Sequence, residues 1–408
     1  MRPRAIRYYS MGDASGYGMA GVGYVRGLVN AGIAVEWIRL RWQEDPISHP
    51  LQHSGEDLAA FSLAAPEPGE GFSDLPVLAR LTSHPQPCDV VIAHTTPDYW
   101  PAIFSTAPGA RRVGLTTWET DRPPAYWMPL LALAERVLVP CRMNRDCFVR
   151  GGVRVPVVVV PHVRQHATRR FTETELHALR QRFLLPEGHT IFYTIGAWDP
   201  RKAMPDLIEA YARAFHAEDR VVLLIKTGKS GHADGPLQER SSTRTLFEQT
   251  AQRLMRGLGR PLPAMRLVDD PLTDSGIAML HAVGDCYVSL THGEGWGLGA
   301  FDAAALGKPV IITAWSAPPD YLAGDDGTWP GAIPFRMTNA PSFPAFRPSY
   351  FPTQRWAQAH LGAAADLLRQ FHQDGDAMRA AARANRIDIA NRFAEPVVTQ
   401  RLLAAVDG

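Results

Sequence analysis

A chain of 408 residues is about three times the length of one compact domain, so two domains are the default expectation. With 46% apolar and 20% charged residues it can bury a large core, which excludes a disordered or fibrous chain. Lys plus Arg number 42 against 41 Asp plus Glu, a net charge of +1, so no global field draws the chain to nucleic acid and any phosphate site must be local. The four cysteines, Cys88, Cys141, Cys147 and Cys286, have neither CxxC spacing nor disulfide-scaffold density, which points to a reducing compartment, the cytoplasm. No apolar run is long enough to span a bilayer, and none follows the basic N-terminus. Peripheral contact of a helix face with the inner side of a membrane stays open.

The first 40 residues predict a strand ending near Ser10, a glycine-rich turn over Gly12 to Gly23, a helix to about Ala31 and a strand over Ala34 to Leu40, a βαβ opening. Short apolar runs follow at Cys88 to Ala93, Arg112 to Thr116, Arg136 to Val139 and Pro156 to Val160, with helical stretches between some of them. This alternation predicts a parallel sheet covered on both faces. A charged helical stretch over Thr172 to Phe183 precedes new strands at Thr190 to Ile195, Arg220 to Lys226, Met265 to Val268, Asp285 to Leu290 and Pro309 to Thr313. Helices fit over Met204 to Phe215 and Leu298 to Leu306, so a second doubly wound unit is expected. The expected organisation is therefore α/β, with an N-terminal Rossmann-like domain over 1–165, a linker and helix over 166–187, a second Rossmann-like domain over 188–350 and C-terminal helices over 351–408.

Two glycine-rich loops carry candidate chemistry. Gly16-x-Gly18-x-x-Gly21 follows a strand and opens a helix, where free N–H groups and the helix dipole favour a phosphate; the same glycines equally suit close packing. Glu36 in the next strand could hold a ribose, which keeps an NAD(P)-dependent oxidoreductase open. The second loop is His292-Gly293-Glu294-Gly295-Trp296-Gly297-Leu298-Gly299, with Asp302 one turn into the following helix. It combines a helix N-terminus with two carboxylates able to accept sugar or ribose hydroxyls. Arg201 and Lys202 sit at a helix start, where positive charge opposes the dipole unless an anion is bound.

The run Glu294-Gly-Trp-Gly-Leu-Gly-Ala-Phe-Asp302, continuing to Lys308-Pro-Val-Ile, resembles the signature of group-1 glycosyltransferases, the retaining glycosyltransferase family 4 of the GT-B fold. Gly196-Ala-Trp-Asp-Pro-Arg-Lys202, leading into Leu207-Ile-Glu-Ala-Tyr211, resembles the family's phosphate-clamping segment, with Lys202 on the family lysine. Ala197 stands where the family has arginine, and Asp302 where it has glutamate; Arg201, beside Lys202, offers a second positive charge. Segments around Gly16, Trp118 to Pro124 and Val139 to Asn144 extend the resemblance over about 10 to 322, with Trp118 where related enzymes commonly carry histidine.

The resemblance implies transfer of a sugar from a nucleotide-sugar donor, with retention, to a glycan, glycolipid or small-molecule acceptor, in polysaccharide biosynthesis. The catalytic set would be Glu294, Arg201 and Lys202, joined by His94 and Glu119, which their own places at strand ends put at a sheet's carboxyl edge, and the donor would also meet Gly16, Tyr17, Gly18, Gly297, Leu298, Gly299, Asp302 and Lys226. Neither a metal nor a cofactor is expected, because the cations and the helix N-terminus can balance a departing diphosphate. A catalytically idle nucleotide-sugar-binding protein is a third reading.

Overall fold

The structure, a computed structural model, describes residues 5–13, 15–40, 75–82, 87–164, 171–232, 240–342 and 349–407. The expected linker, 166–187, thus lies partly outside the described residues, at 166–170. The chain forms two compact units. One comprises Met1–Gln165, Ala340–Gln354 and Ala390–Gly408; the other comprises His166–Asn339 and Arg355–Ile389.

The first unit carries β1 (Ala5–Met11), β2 (Ala34–Leu40), β3 (Val90–His94), β4 (Arg111–Leu115), β5 (Arg136–Val139) and β6 (Val157–Val159). They form one sheet in the order β2-β1-β3-β4-β5-β6, parallel throughout. Strand β3 is buried along its whole length, as a parallel strand covered on both faces must be. The sequence reversal falls between β1 and β3, so the loops leaving these two strands open a crevice at the sheet's carboxyl edge.

The helix after β1 starts earlier than the glycine content predicts, at Gly16 rather than after Gly23, and runs to Asn30. Ser15 caps it, its hydroxyl accepting from Gly18 N at 3.2 Å. Helix Glu395–Asp407 packs against it, with Val398, Leu402 and Val406 joining Ile6, Tyr8, Val25 and Leu28 in one core. Arg26 pairs with Glu395 at 2.5 Å. Arg111 and Arg136, at the starts of β4 and β5, donate to the carbonyls of Val406, Asp407 and Ala405, which satisfies the end of that helix with positive charge.

The second unit carries β7 (Thr190–Ile195), β8 (Val221–Lys226), a small hairpin of β9 (Ser230–His232) and β10 (Arg240–Ser242), β11 (Met265–Val268), β12 (Cys286–Ser289), β13 (Val310–Thr313), β14 (Ala332–Ile333) and an antiparallel pair of β15 (Phe335–Asn339) and β16 (Arg355–Ala359). The main sheet runs β11-β8-β7-β12-β13-β14, again parallel. Counted from β7 this is the 3-2-1-4-5-6 order of dinucleotide-binding sheets, and its reversal lies between β7 and β12. Helices Met204–Ala214 and Leu361–Gln373 pack together, and Leu207, Ile208, Leu368 and Phe371 join Phe192, Leu223 and Val288 in the core. The polar segments β9, β10, β15 and β16 are strands that the apolar pattern did not single out.

Candidate functional site

The two loops that carry the second signature leave β7 and β12, the strands flanking the reversal. After β7 the chain makes a single 3-10 turn, Pro200–Lys202. Asp199 caps it by accepting from Lys202 N at 3.0 Å, and Ala203, with φ of 49°, turns the chain left-handed into helix Met204–Ala214. That helix has no side-chain cap, so Arg201 and Lys202 stand against its dipole.

The compensating charge is Glu294. Lys202 Nζ lies 2.7 Å from both Oε1 and Oε2 of Glu294, and Arg201 Nη1 lies 3.4 Å from Oε2 and 2.6 Å from the carbonyl of Gly293. All three side chains are largely buried. Burial alone would raise the Glu294 carboxyl, but the charges of Lys202 and Arg201, with hydrogen bonds from Lys202 and Thr291, outweigh it and hold the group below the ordinary glutamate range. It is an ionised carboxylate inside the protein, where an ion keeps its charge only if well paired.

The backbone around it is tightly specified. Glu294 N donates to Ser316 Oγ at 2.8 Å, and Ser316 itself holds φ of 68°. Gly297, at φ of 85°, ends the loop and starts helix Leu298–Ala305. A Cβ there would sit 3.1 Å from Tyr321 Oη and 3.2 Å from Glu294 Cγ, so glycine is needed for both conformation and space. The helix has neither a side-chain cap nor an acid in its first turn, and its N-terminus adjoins Glu294. Leu298 and Gly299 open the helix at the end that adjoins Glu294, where main-chain N–H groups have no acceptor within the helix. Asp302 is buried in the next turn, and its charge acts on the phenols of Tyr193 and Tyr287.

Tyr287 was not singled out in the sequence, yet its hydroxyl donates to Ile195 O at 3.2 Å and a Cβ at Gly299 would come within 2.7 Å of it. Its phenol is raised by burial first and by Glu294 next. Lys226 belongs to a different set of contacts. Its ammonium donates to Thr227 O at 2.6 Å, and its pKa is lowered by burial, with Asp269 and Asp270 opposing.

In the first unit, His94 ends β3 and is enclosed by tyrosines. Its Nδ1 is 2.8 Å from Tyr8 Oη, and its ring centre is 5.4 Å from Tyr17 and 5.7 Å from Tyr24. Burial, then the neighbouring His162, push its pKa well below the ordinary value, so the ring is neutral. Tyr17 spends its hydroxyl on Thr116 Oγ1 at 3.1 Å, and accepts from Thr117 N at 3.4 Å. Glu119 accepts from Tyr350 Oη at 3.3 Å, while Tyr350 stacks on Trp118 with ring centres 5.0 Å apart. Asn144 fixes this loop through Thr117 Oγ1, Trp118 N and Trp118 O. Asn144 closes a segment that carries the resemblance, but nothing in the sequence pattern gave it this role or marked Tyr350, which lies 231 positions from Glu119 along the chain.

The first glycine loop has a packing explanation. A Cβ at Gly18 would lie 1.9 Å from Asp13 O, and one at Gly21 would lie 2.5 Å from Ser10 Oγ, whereas Gly16 faces open space. Glu36, offered as a ribose ligand, is paired with Arg7 at 2.7 Å across β1 and β2. That pairing removes the acid on which the oxidoreductase reading relied.

Two doubly wound parallel sheets of this kind constitute the GT-B fold of solved glycosyltransferases. HepE from Anabaena, solved with UDP-glucose, matches 98% of this chain over 98% of its own at 13% identity and a TM-score of 0.62. A glycosyltransferase from Rickettsia africae matches 98% over 97% at 12% identity and 0.64. Sucrose-phosphate synthase from Thermosynechococcus elongatus does so over 98% and 97%, at 16% and 0.62. No protein-family model matches the chain, and no curated protein matches it by sequence.

Proposed function

We propose that this protein is a glycosyltransferase that moves a sugar from a nucleotide-sugar donor to an acceptor hydroxyl. The observation that carries the reading is the buried group of Arg201, Lys202 and Glu294 beside the uncapped N-terminus of helix Leu298–Ala305, at the topological switch of the second sheet. The occurrence of this fold in HepE, solved with UDP-glucose, supports the same donor class.

In the reaction the bond between the anomeric carbon and the diphosphate oxygen breaks, and its electron pair leaves with the diphosphate. Arg201, Lys202 and the first N–H groups of the helix stabilise that growing charge. Glu294 accepts hydroxyl hydrogen bonds of the transferred sugar, and Asp302 those of the ribose. The acceptor oxygen bonds to the anomeric carbon, and its proton passes to the leaving diphosphate or to water. The resemblance of the Glu294 signature supports retention of configuration. We assign acceptor-side roles to His94 and Glu119, donor contacts to Gly16, Tyr17, Gly18 and Lys226, and a glycan, glycolipid or small molecule as acceptor. Free thiols at all four cysteines suit a cytoplasmic protein, and no helix among the described residues is long and apolar enough to cross a membrane.

Purified protein incubated with UDP-, GDP- and ADP-sugars and a panel of glycan and glycolipid acceptors should release a nucleoside diphosphate with one donor. Binding of a nucleotide sugar without release under any pairing would favour an idle binding protein, and no binding at all would overturn the reading.

A further inference from the structure

His292 ties together three segments of the second unit. Its main-chain N–H donates to Arg201 O at 2.8 Å, which fastens the cation-bearing turn to the loop after β12. Its own carbonyl accepts from Ala357 N at 3.0 Å, so β16 is joined to the same residue. Among the described residues, the loop of His292 and strand β16 form no ladder beyond this single main-chain bond. Here the main-chain N–H is committed to Arg201, and the ring supplies the second bond, with His292 Nδ1 2.6 Å from Ala357 O. A carbonyl only accepts, so Nδ1 carries the proton.

The ring is buried and lies flat on Trp356, centres 4.4 Å apart and planes 19° apart, which fixes its rotamer. Gln358, which follows Ala357 in β16, donates to Asp206 Oδ2 at 2.7 Å, at the start of the helix that follows Lys202. Strand β16 is therefore hydrogen-bonded both to the helix that follows Lys202 and to the loop of Glu294.

We infer that His292 is the positioning residue of the donor site, its ring bond to Ala357 O anchoring the main chain whose N–H sets the Arg201–Lys202 turn against Glu294. The inference rests on the donor reading above. It assigns the ring no contact with substrate: the ring acts through Arg201, Lys202 and Glu294.

Two substitutions separate its donor from its bulk. His292→Asn keeps an N–H at the position of Nδ1, whereas His292→Phe keeps a flat ring on Trp356 and loses the donor. Calorimetric titration of wild type with UDP, GDP and ADP first identifies the nucleotide bound. His292→Phe should then weaken that nucleotide by about tenfold or more, and His292→Asn by no more than about threefold, as expected for loss or retention of one buried hydrogen bond. With turnover, His292→Phe should raise the donor KM and lower kcat together, while the acceptor KM stays near wild type; a purely structural role would lower the melting temperature without this split. His292→Leu carries the same expectation as the Phe variant should that one fail to fold. Affinity in the Phe or Leu variant equal to wild type, or equal losses in the Asn and Phe variants, would overturn the inference. Failure of wild type to bind any of the three nucleotides would instead overturn the donor reading on which it rests.

Discussion

Lys202 and Glu294, 92 positions apart in the chain, meet with one ammonium bridging both carboxylate oxygens at 2.7 Å. Each otherwise occupies an unfavourable place, Lys202 before a helix N-terminus and Glu294 inside the protein. The pair resolves both costs at the point where the second sheet reverses its order, and it holds a cation and an anion ready side by side.

The acid should matter to turnover more than to binding of the nucleotide alone. Glu294→Gln is expected to lower kcat by about a hundredfold or more, the scale of a lost charged contact in a transition state. Circular dichroism should show an unchanged fold. Near-normal turnover would remove Glu294 from the reaction.

The cations should matter to nucleotide binding. Arg201→Ala and Lys202→Ala should each weaken nucleoside diphosphate affinity by about 1 to 3 kcal/mol, the range for charge-assisted hydrogen bonds. Calorimetry on the double variant decides it, and unchanged affinity there would place the clamp elsewhere.

Acid should reveal the same pair in stability. Glu294 titrates below the ordinary range, so its pairing stabilises the fold above that range and the benefit disappears as pH falls through the lowered value. Lys202→Met leaves a buried carboxylate with Arg201 alone and should cost about 3 kcal/mol near neutral pH, the lower end for a broken buried pair because Arg201 remains. In urea unfolding the gap to wild type should narrow as the solution is acidified, because the variant's carboxyl, now raised, takes up its proton first. A gap independent of pH would show that the lost ion pair is not its source.

Divalent metal should be dispensable, since Arg201, Lys202 and the helix N-terminus supply the charge that a leaving diphosphate needs. Turnover in excess EDTA should keep most of its rate. Abolition by EDTA with recovery in magnesium or manganese would refute this.

A fifth expectation concerns packing alone. Alanine normally favours a helix over glycine by about 1 kcal/mol, yet a Cβ at Gly27 would lie 2.1 Å from Thr399 Oγ1 on the partner helix. Overpacking costs about 1 to 3 kcal/mol, so Gly27→Ala should destabilise, and Thr399→Ala added to it should restore stability. Thermal melting of the single and double variants measures both.

The buried strands were legible because parallel strands covered on both faces read as continuous apolar runs: Thr190–Ile195 appears where the sequence placed it, and Val221–Lys226 within one residue. The loop after β12 was legible because glycine at Gly297 answers a left-handed backbone. Other features were not. The first helix was delayed in the sequence reading because Gly18 and Gly21 count against a helix locally, whereas tertiary packing on Asp13 and Ser10 demands them. Strand β16, Arg-Trp-Ala-Gln-Ala, carries no strong β pattern, and its partner His292 lies 65 positions away in the chain. The pairing of Glu36 with Arg7 required knowing that β1 and β2 are in register at those residues.

Helix Glu395–Asp407 completes the core of the first unit, although β1 and the helix it covers stand near the start of the chain. During synthesis the sheet of β1 to β6 emerges long before that cover exists. Until residues 395–407 leave the ribosome, the apolar side chains that will meet Val398, Leu402 and Val406 remain open to solvent, Val25 and Leu28 among them. A stop codon anywhere in the C-terminal helices would thus expose a seam near the other end of the chain. Supplying the missing helix as a separate peptide would be a direct way to measure how much of the first unit's folding waits for it.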